Sequence, residues 1–164
     1  CVAFGITFKR YEKKFLLNPD QFLAIKEEVD KHFDPDKFGE TKICNIETQE
    51  FQSRKVFIVY PKDSKTDLTI LYFHGGSYMA EATKEHWDYI QKLAIDTNST
   101  VIMPDYPLAP KANYKDVFDF AVPFYKETIA NIDTNQLILM GDSAGGGLAL
   151  GLMEKISIAI IYPP

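Results

Sequence analysis

Apolar residues change their spacing partway along this chain, and the change divides it. Over residues 18–33, Phe22, Ile25, Val29 and Phe33 recur three or four positions apart, the spacing of one helix face. Asn18 suits an N-cap, Pro19 the first helical position, and Asp20 and Gln21 the first turn. A shorter helix is expected over 6–17, so that residues 1–40 form a helical segment outside the central sheet.

From residue 41 onward the pattern turns to strands. Runs 42–48 and 54–60 are rich in β-formers and separated by polar residues, which predicts an antiparallel pair. After a polar loop over 61–67, Leu68-Thr69-Ile70-Leu71-Tyr72-Phe73 is a near-continuous apolar run, as in a sheet covered on both faces. A helix is predicted over 84–97, with Trp87, Ile90, Leu93 and Ala94 on one side. Thr100-Val101-Ile102-Met103 is the next strand, stopped by Pro104, and a proline-rich loop leads to a helix near 113–131. Leu137-Ile138-Leu139-Met140 is a strand, 144–155 a helix and 156–162 a further strand. Successive strand-helix-strand units predict a mostly parallel sheet over 41–164 with right-handed crossovers, an α/β fold. The junction at Lys155-Ile156 is abrupt, because a helix and the next strand are usually joined by about 2–6 residues. It calls for a shorter helix or for residues missing at that point.

Composition narrows the function classes. Of 164 residues, 46% are apolar, with 12 Phe and 9 Tyr, which is ample for one packed core and excludes disorder. The formal charge is −5 with dispersed Lys and Arg, so no basic stripe points to nucleic acid. Cys1 and Cys44 cannot make a disulfide framework, and Cys44 reads as a packing residue in a strand. His32, His74 and His86 show no metal-ligand spacing, so neither metal nor other cofactor is expected. The first residues, Val2 to Ile6, are apolar with Lys9, Arg10, Lys13 and Lys14 behind them. They are too short to span a bilayer, and the bland reading is an ordinary helix in a cytoplasmic protein. The alternatives are the tail of a signal or signal-anchor, or a lipid-bearing N-terminal cysteine, either of which places the protein at a membrane or outside the cell.

Two blocks carry chemistry. Gly141-Asp142-Ser143-Ala144-Gly145-Gly146 fits G-x-S-x-G between an apolar strand and an Ala/Leu-rich helix, the context that gives the pattern its meaning. A sharp turn there strains the serine backbone, and flanking glycines let the neighbouring chain approach. The hydroxyl then stands at the helix N-terminus, where negative charge is favoured. Ser143 is the candidate nucleophile. The second block, His74-Gly75-Gly76-Ser77, directly follows a strand, and its consecutive glycines expose backbone N–H groups of the kind an oxyanion needs. Alone, each block is also what a plain glycine turn looks like; both sit at the C-terminal ends of strands, so they are expected to meet at one sheet edge.

With Asp105-Tyr106-Pro107-Leu108-Ala109-Pro110 as a third block, the chain resembles the hormone-sensitive-lipase-like branch of the α/β-hydrolases, a family of carboxylesterases and lipases, over roughly residues 65–150. The resemblance implies the α/β-hydrolase fold, with residues 1–40 as a helical cap. It implies Ser143 as nucleophile, with the N–H groups of Gly75, Gly76 and Ala144 as the oxyanion hole. His74 shapes the loop in this reading, and Asp142 and Asp105 hold loops by hydrogen bonds. This chain departs from the family at Ser77, where a third glycine is usual, and at Pro107, where arginine is usual. The family order is serine, then acid, then histidine. No histidine follows Ser143 and Glu154 is the single acid there, so the triad acid and base are expected outside these residues, in a longer enzyme. The implied partner is a small-molecule ester. A peptidase or amidase on the same fold, and a non-catalytic ligand-binding member resembling plant hormone receptors, remain open alternatives.

Overall fold

The computed structural model describes residues 43–62 and 66–161, all within the unit Pro35–Pro164. The helices expected over 6–17 and 18–33, and the cap segment 1–40 with them, lie outside the described residues.

Strands β1 (Cys44–Phe51) and β2 (Arg54–Pro61) form an antiparallel hairpin. Its turn residues Gln52 and Ser53 both have positive φ (49° and 60°), the backbone twist that matches the twist of paired strands. The chain then alternates: β3 (Thr69–Phe73), α1 (Lys84–Thr97), β4 (Thr100–Pro104), α2 (Tyr114–Ala130), a single 3-10 turn, β5 (Leu137–Gly141) and α3 (Ala144–Ile161). The sheet order is β1-β2-β4-β3-β5, with β2 antiparallel to β4 and the β4-β3-β5 part parallel.

Alternation along the strands builds a core on each face. Leu71 and Phe73 of β3 join Val56 of β2, Val117, Phe120, Ala121 and Phe124 of α2, and Leu148, Ala149 and Leu152 of α3. On the other face Phe57 meets Trp87 of α1 edge-to-face at 4.7 Å. Trp87, Ile90 and Ala94 are buried at helical spacing, as the apolar pattern predicts, whereas Leu93 is half-buried and Gln91 is buried in the same face. Burying one such large side chain contributes about 1.5–3 kcal/mol, so both faces of β3 are needed to hold the sheet centre. Helix ends are capped: Asn113 accepts from Lys115 N and Asp116 accepts from Asn113 N at the start of α2.

One expectation is corrected. Residues 156–161 are not a strand but the last turns of α3, which runs unbroken from Ala144 to Ile161. Leu148, Leu152 and Ile156 follow one another at four-residue spacing onto the same core, and from Leu152 to Ile161 neither glycine nor proline interrupts the helix. The junction at Lys155-Ile156 is therefore a helix interior and not a connection. Among the described residues no helix is long and apolar enough to cross a membrane.

Candidate active site

The pairing of β3 with β5 places Phe73 opposite Gly141, so His74-Gly75 and Asp142-Ser143 leave the sheet side by side. The two sequence blocks thus meet at one sheet edge. The turn between β5 and α3 is as tight as its glycines imply. A Cβ on Gly145 would lie 1.9 Å from the Phe73 carbonyl oxygen, and one on Gly141 would lie 2.4 Å from the Gly145 carbonyl carbon. Ser143 takes up the bend at φ +48° and is exposed. A left-handed non-glycine residue costs roughly 1–2 kcal/mol, strain that the surrounding packing must hold in place.

Asp142 does more than fill its motif. Its Oδ1 accepts the Gly75 N–H at 2.8 Å and the Tyr72 hydroxyl at 2.6 Å, while Oδ2 lies 3.5 Å from Nε2 of His86. Burial alone pushes the Asp142 carboxyl up, but the His86, Tyr72 and Gly75 contacts outweigh it and hold it at about 2. Gly75 is the one residue type that fits, because a Cβ there would lie 2.2 Å from Asp142 Oδ2. This revises one expectation: the Gly75 N–H is taken up by a carboxylate and is not a free oxyanion donor. The hydrogen bonds among the described residues give no acceptor to the N–H groups of Gly76 or Ala144.

His74 is buried, its Nδ1–H donating to the Gly75 carbonyl at 2.7 Å and its ring stacked on Tyr106 at 4.6 Å. Burial pulls its pKa down to about 4, so it is a neutral ring at physiological pH. The Tyr106 hydroxyl donates to the His74 carbonyl at 2.7 Å, and Ala109 N donates to Tyr78 O at 2.8 Å. The third sequence block therefore braces the glycine loop from below. Its Asp105 is in turn held by Arg54, whose Nη1 reaches the Asp105 carbonyl at 3.1 Å and carboxylate at 3.3 Å.

Ser77, at the family's third-glycine position, is in left-handed backbone at φ +58°, and Tyr78 follows at +59°. The Tyr78 hydroxyl lies over the first turn of α3, 2.9 Å from where a Cβ on Gly147 would stand. Two participants escape the sequence reading: Tyr72 and His86. His86 is buried at the third position of α1, where its Nδ1 accepts the Thr83 N–H at 2.9 Å. A threonine three residues before a side chain able to accept at a helix start is the signal that could have found it. Among the described residues no cluster of three or more histidine, cysteine or acidic side chains is placed to hold a metal ion.

A family model described as alpha/beta hydrolase fold matches residues 70–159. The provisionally named acetyl-hydrolase LipR of Mycobacterium tuberculosis is 33% identical over 129 residues, covering 78% of this chain and 39% of LipR. A provisionally named esterase from Staphylococcus aureus superposes with a TM-score of 0.72 at 25% identity, over 86% of this chain and 49% of that one. An esterase of the bacterial hormone-sensitive lipase family does so at 0.66 and 25% identity, over 79% and 43%. The chain spans less than half the length of each of these three proteins.

Proposed function

Because the chain belongs to the alpha/beta hydrolase fold family, in the branch of hormone-sensitive-lipase-like esterases, we propose that it carries the nucleophile and oxyanion loop of a serine carboxylesterase. The observation that carries this reading is Ser143, an exposed hydroxyl on strained backbone between a strand end and a helix N-terminus. In the proposed reaction Ser143 Oγ attacks the ester carbonyl carbon as its proton passes to a general base. The carbonyl electron pair moves to oxygen, and the N–H groups of Gly76 and Ala144 donate to that oxyanion. Collapse expels the alcohol, leaving the acyl group on Ser143, and water then releases the carboxylic acid.

The base must come from outside the described residues. His74 and His86 are both buried, and each ring is engaged with backbone or carboxylate partners. Asp142 and His74 act as supports of the loop in this reading. The substrate class is a small or medium acyl ester; LipR, by its name an acetyl-hydrolase, supports the short end.

The test is turnover of p-nitrophenyl acetate and p-nitrophenyl dodecanoate by the full-length protein and its Ser143→Ala variant. Loss of the nucleophile is expected to lower kcat by about 10⁴-fold or more, as for other members of such triads. Equal turnover by the two proteins would sink the nucleophile assignment. Tight binding of a small apolar ligand without any ester turnover would replace catalysis by binding.

A further inference from the structure

Asp142 is gripped from three separate stretches of chain: Tyr72 on β3, Gly75 in the glycine loop and His86 on α1. The first two meet Oδ1, and His86 alone faces Oδ2 among these contacts. The tautomer of His86 is fixed by its other side. Because Nδ1 accepts the Thr83 N–H at 2.9 Å, the neutral ring carries its proton on Nε2, and Nε2 is the atom 3.5 Å from Asp142 Oδ2. His86 thus joins the capped N-terminus of α1 to the carboxylate that holds the glycine loop. Its side chain is 5% exposed and Asp142's is 31%, so the contact is largely screened from water. Gly75 has no room to shift toward Asp142, since even a Cβ would lie 2.2 Å from Oδ2. The position of that carboxylate therefore sets the position of Gly75, and with it the N–H of Gly76.

We infer that His86 is a positioning residue for the oxyanion loop, acting through Asp142; the inference rests on the serine-esterase reading proposed above. It touches neither substrate nor Ser143 in this role. It orients one carboxylate, and the carboxylate orients the donors. A rival account makes His86 only a helix cap.

Three variants of the full-length protein separate the two roles. In His86→Gln one carboxamide supplies both functions, its oxygen accepting the Thr83 N–H and its nitrogen donating to Asp142. In His86→Glu the cap is kept, because glutamate is a favoured residue at this helix position, but a second carboxylate faces Asp142. His86→Ala removes both functions. Positioning predicts kcat for p-nitrophenyl acetate in the order wild type and Gln, then Ala, then Glu. The Glu variant is expected to fall about tenfold to a hundredfold, with KM little changed, because displaced donors affect the transition state more than substrate binding. Capping alone predicts Gln and Glu equal to wild type with only Ala impaired, and that result overturns the inference.

A second readout does not depend on turnover. Amide hydrogen exchange at Gly75 should quicken in Glu and Ala and stay near wild type in Gln. Unchanged Gly75 exchange in Glu also overturns the inference. Should the wild type show no ester turnover, the esterase reading fails while the Gly75 amide still decides the role of His86. Should Ala fail to fold, the Gln and Glu pair decides alone.

Discussion

At Ser77 a side chain occupies left-handed backbone at φ +58°, in the position where the family usually has glycine. The residue is exposed, so nothing packed against it repays the strain. Ser77→Gly is expected to raise stability by about 1 kcal/mol, read as a shift in the chemical-denaturation midpoint. Titration divides the neighbouring residues between two acid windows. His74 is held at about 4 against an ordinary 6.5, so in between the unfolded chain binds the extra proton. Its contribution is fully present above pH 6.5 and is lost as pH falls toward 4. Asp142 is held at about 2 against 3.8, so its contribution is present above pH 4 and is lost between 4 and 2. Stability measured against pH should lose its upper slope in His74→Phe and its lower slope in Asp142→Asn. The candidate nucleophile and the loop-holding aspartate were legible in the sequence because each sits inside a local motif. Tyr72, the capture of the Gly75 N–H and the link from His86 to Asp142 were not, because they depend on groups meeting across 70, 67 and 56 residues, and the local cap spacing of His86 does not encode its distant partner.

Elements were legible where one period ran between clear stops. Helix α1 starts after Thr83 and ends at Asn98 in left-handed backbone, and its buried face holds Trp87, Ile90 and Ala94 of the apolar spacing together with the polar His86 and Gln91. The end of α3 was misread because Ile156, Ile158, Ile160 and Ile161 resemble a short buried strand in composition. Burial of Leu148 and Leu152, with Ile156 packed beside them, shows that the helical period runs on through the β-branched residues. The contrast has a direct test in Ser157→Pro. Within a helix the substitution removes a backbone hydrogen bond and clashes with the preceding turn, at a cost of about 3 kcal/mol. Thermal denaturation and far-UV circular dichroism should register both that loss and reduced helicity. A strand start or a loop at this position would tolerate the proline far better.

Across the whole sheet, the order β1-β2-β4-β3-β5 is what turns two distant motifs into one site. Strand-helix alternation predicted parallel strands, but alternation alone does not say that β5 lies beside β3 and not beyond β4. A five-residue parallel ladder makes that adjacency, and Gly145 packs closely against the end of β3. Gly145→Ala is therefore expected to destabilise the fold by about 3 kcal/mol, since its Cβ would sit 1.9 Å from a backbone oxygen that has nowhere to go. Gly146→Ala, whose nearest contact would be 3.2 Å, should cost less, and denaturation midpoints of the pair compare them.

The carboxylate of Asp142 joins segments made far apart in time as the chain is synthesised. Gly75 emerges 67 residues before its partner, and Tyr72 emerges 70 residues before it. Contacts of such long sequence separation must await loop closure and form late in folding. A nascent chain that already contains the glycine loop has no carboxylate to hold it, and Ser143 has no finished strand pair to bend against. The glycine loop and the Ser143 turn are thus finished together, at the moment β5 pairs with β3 and closes the sheet.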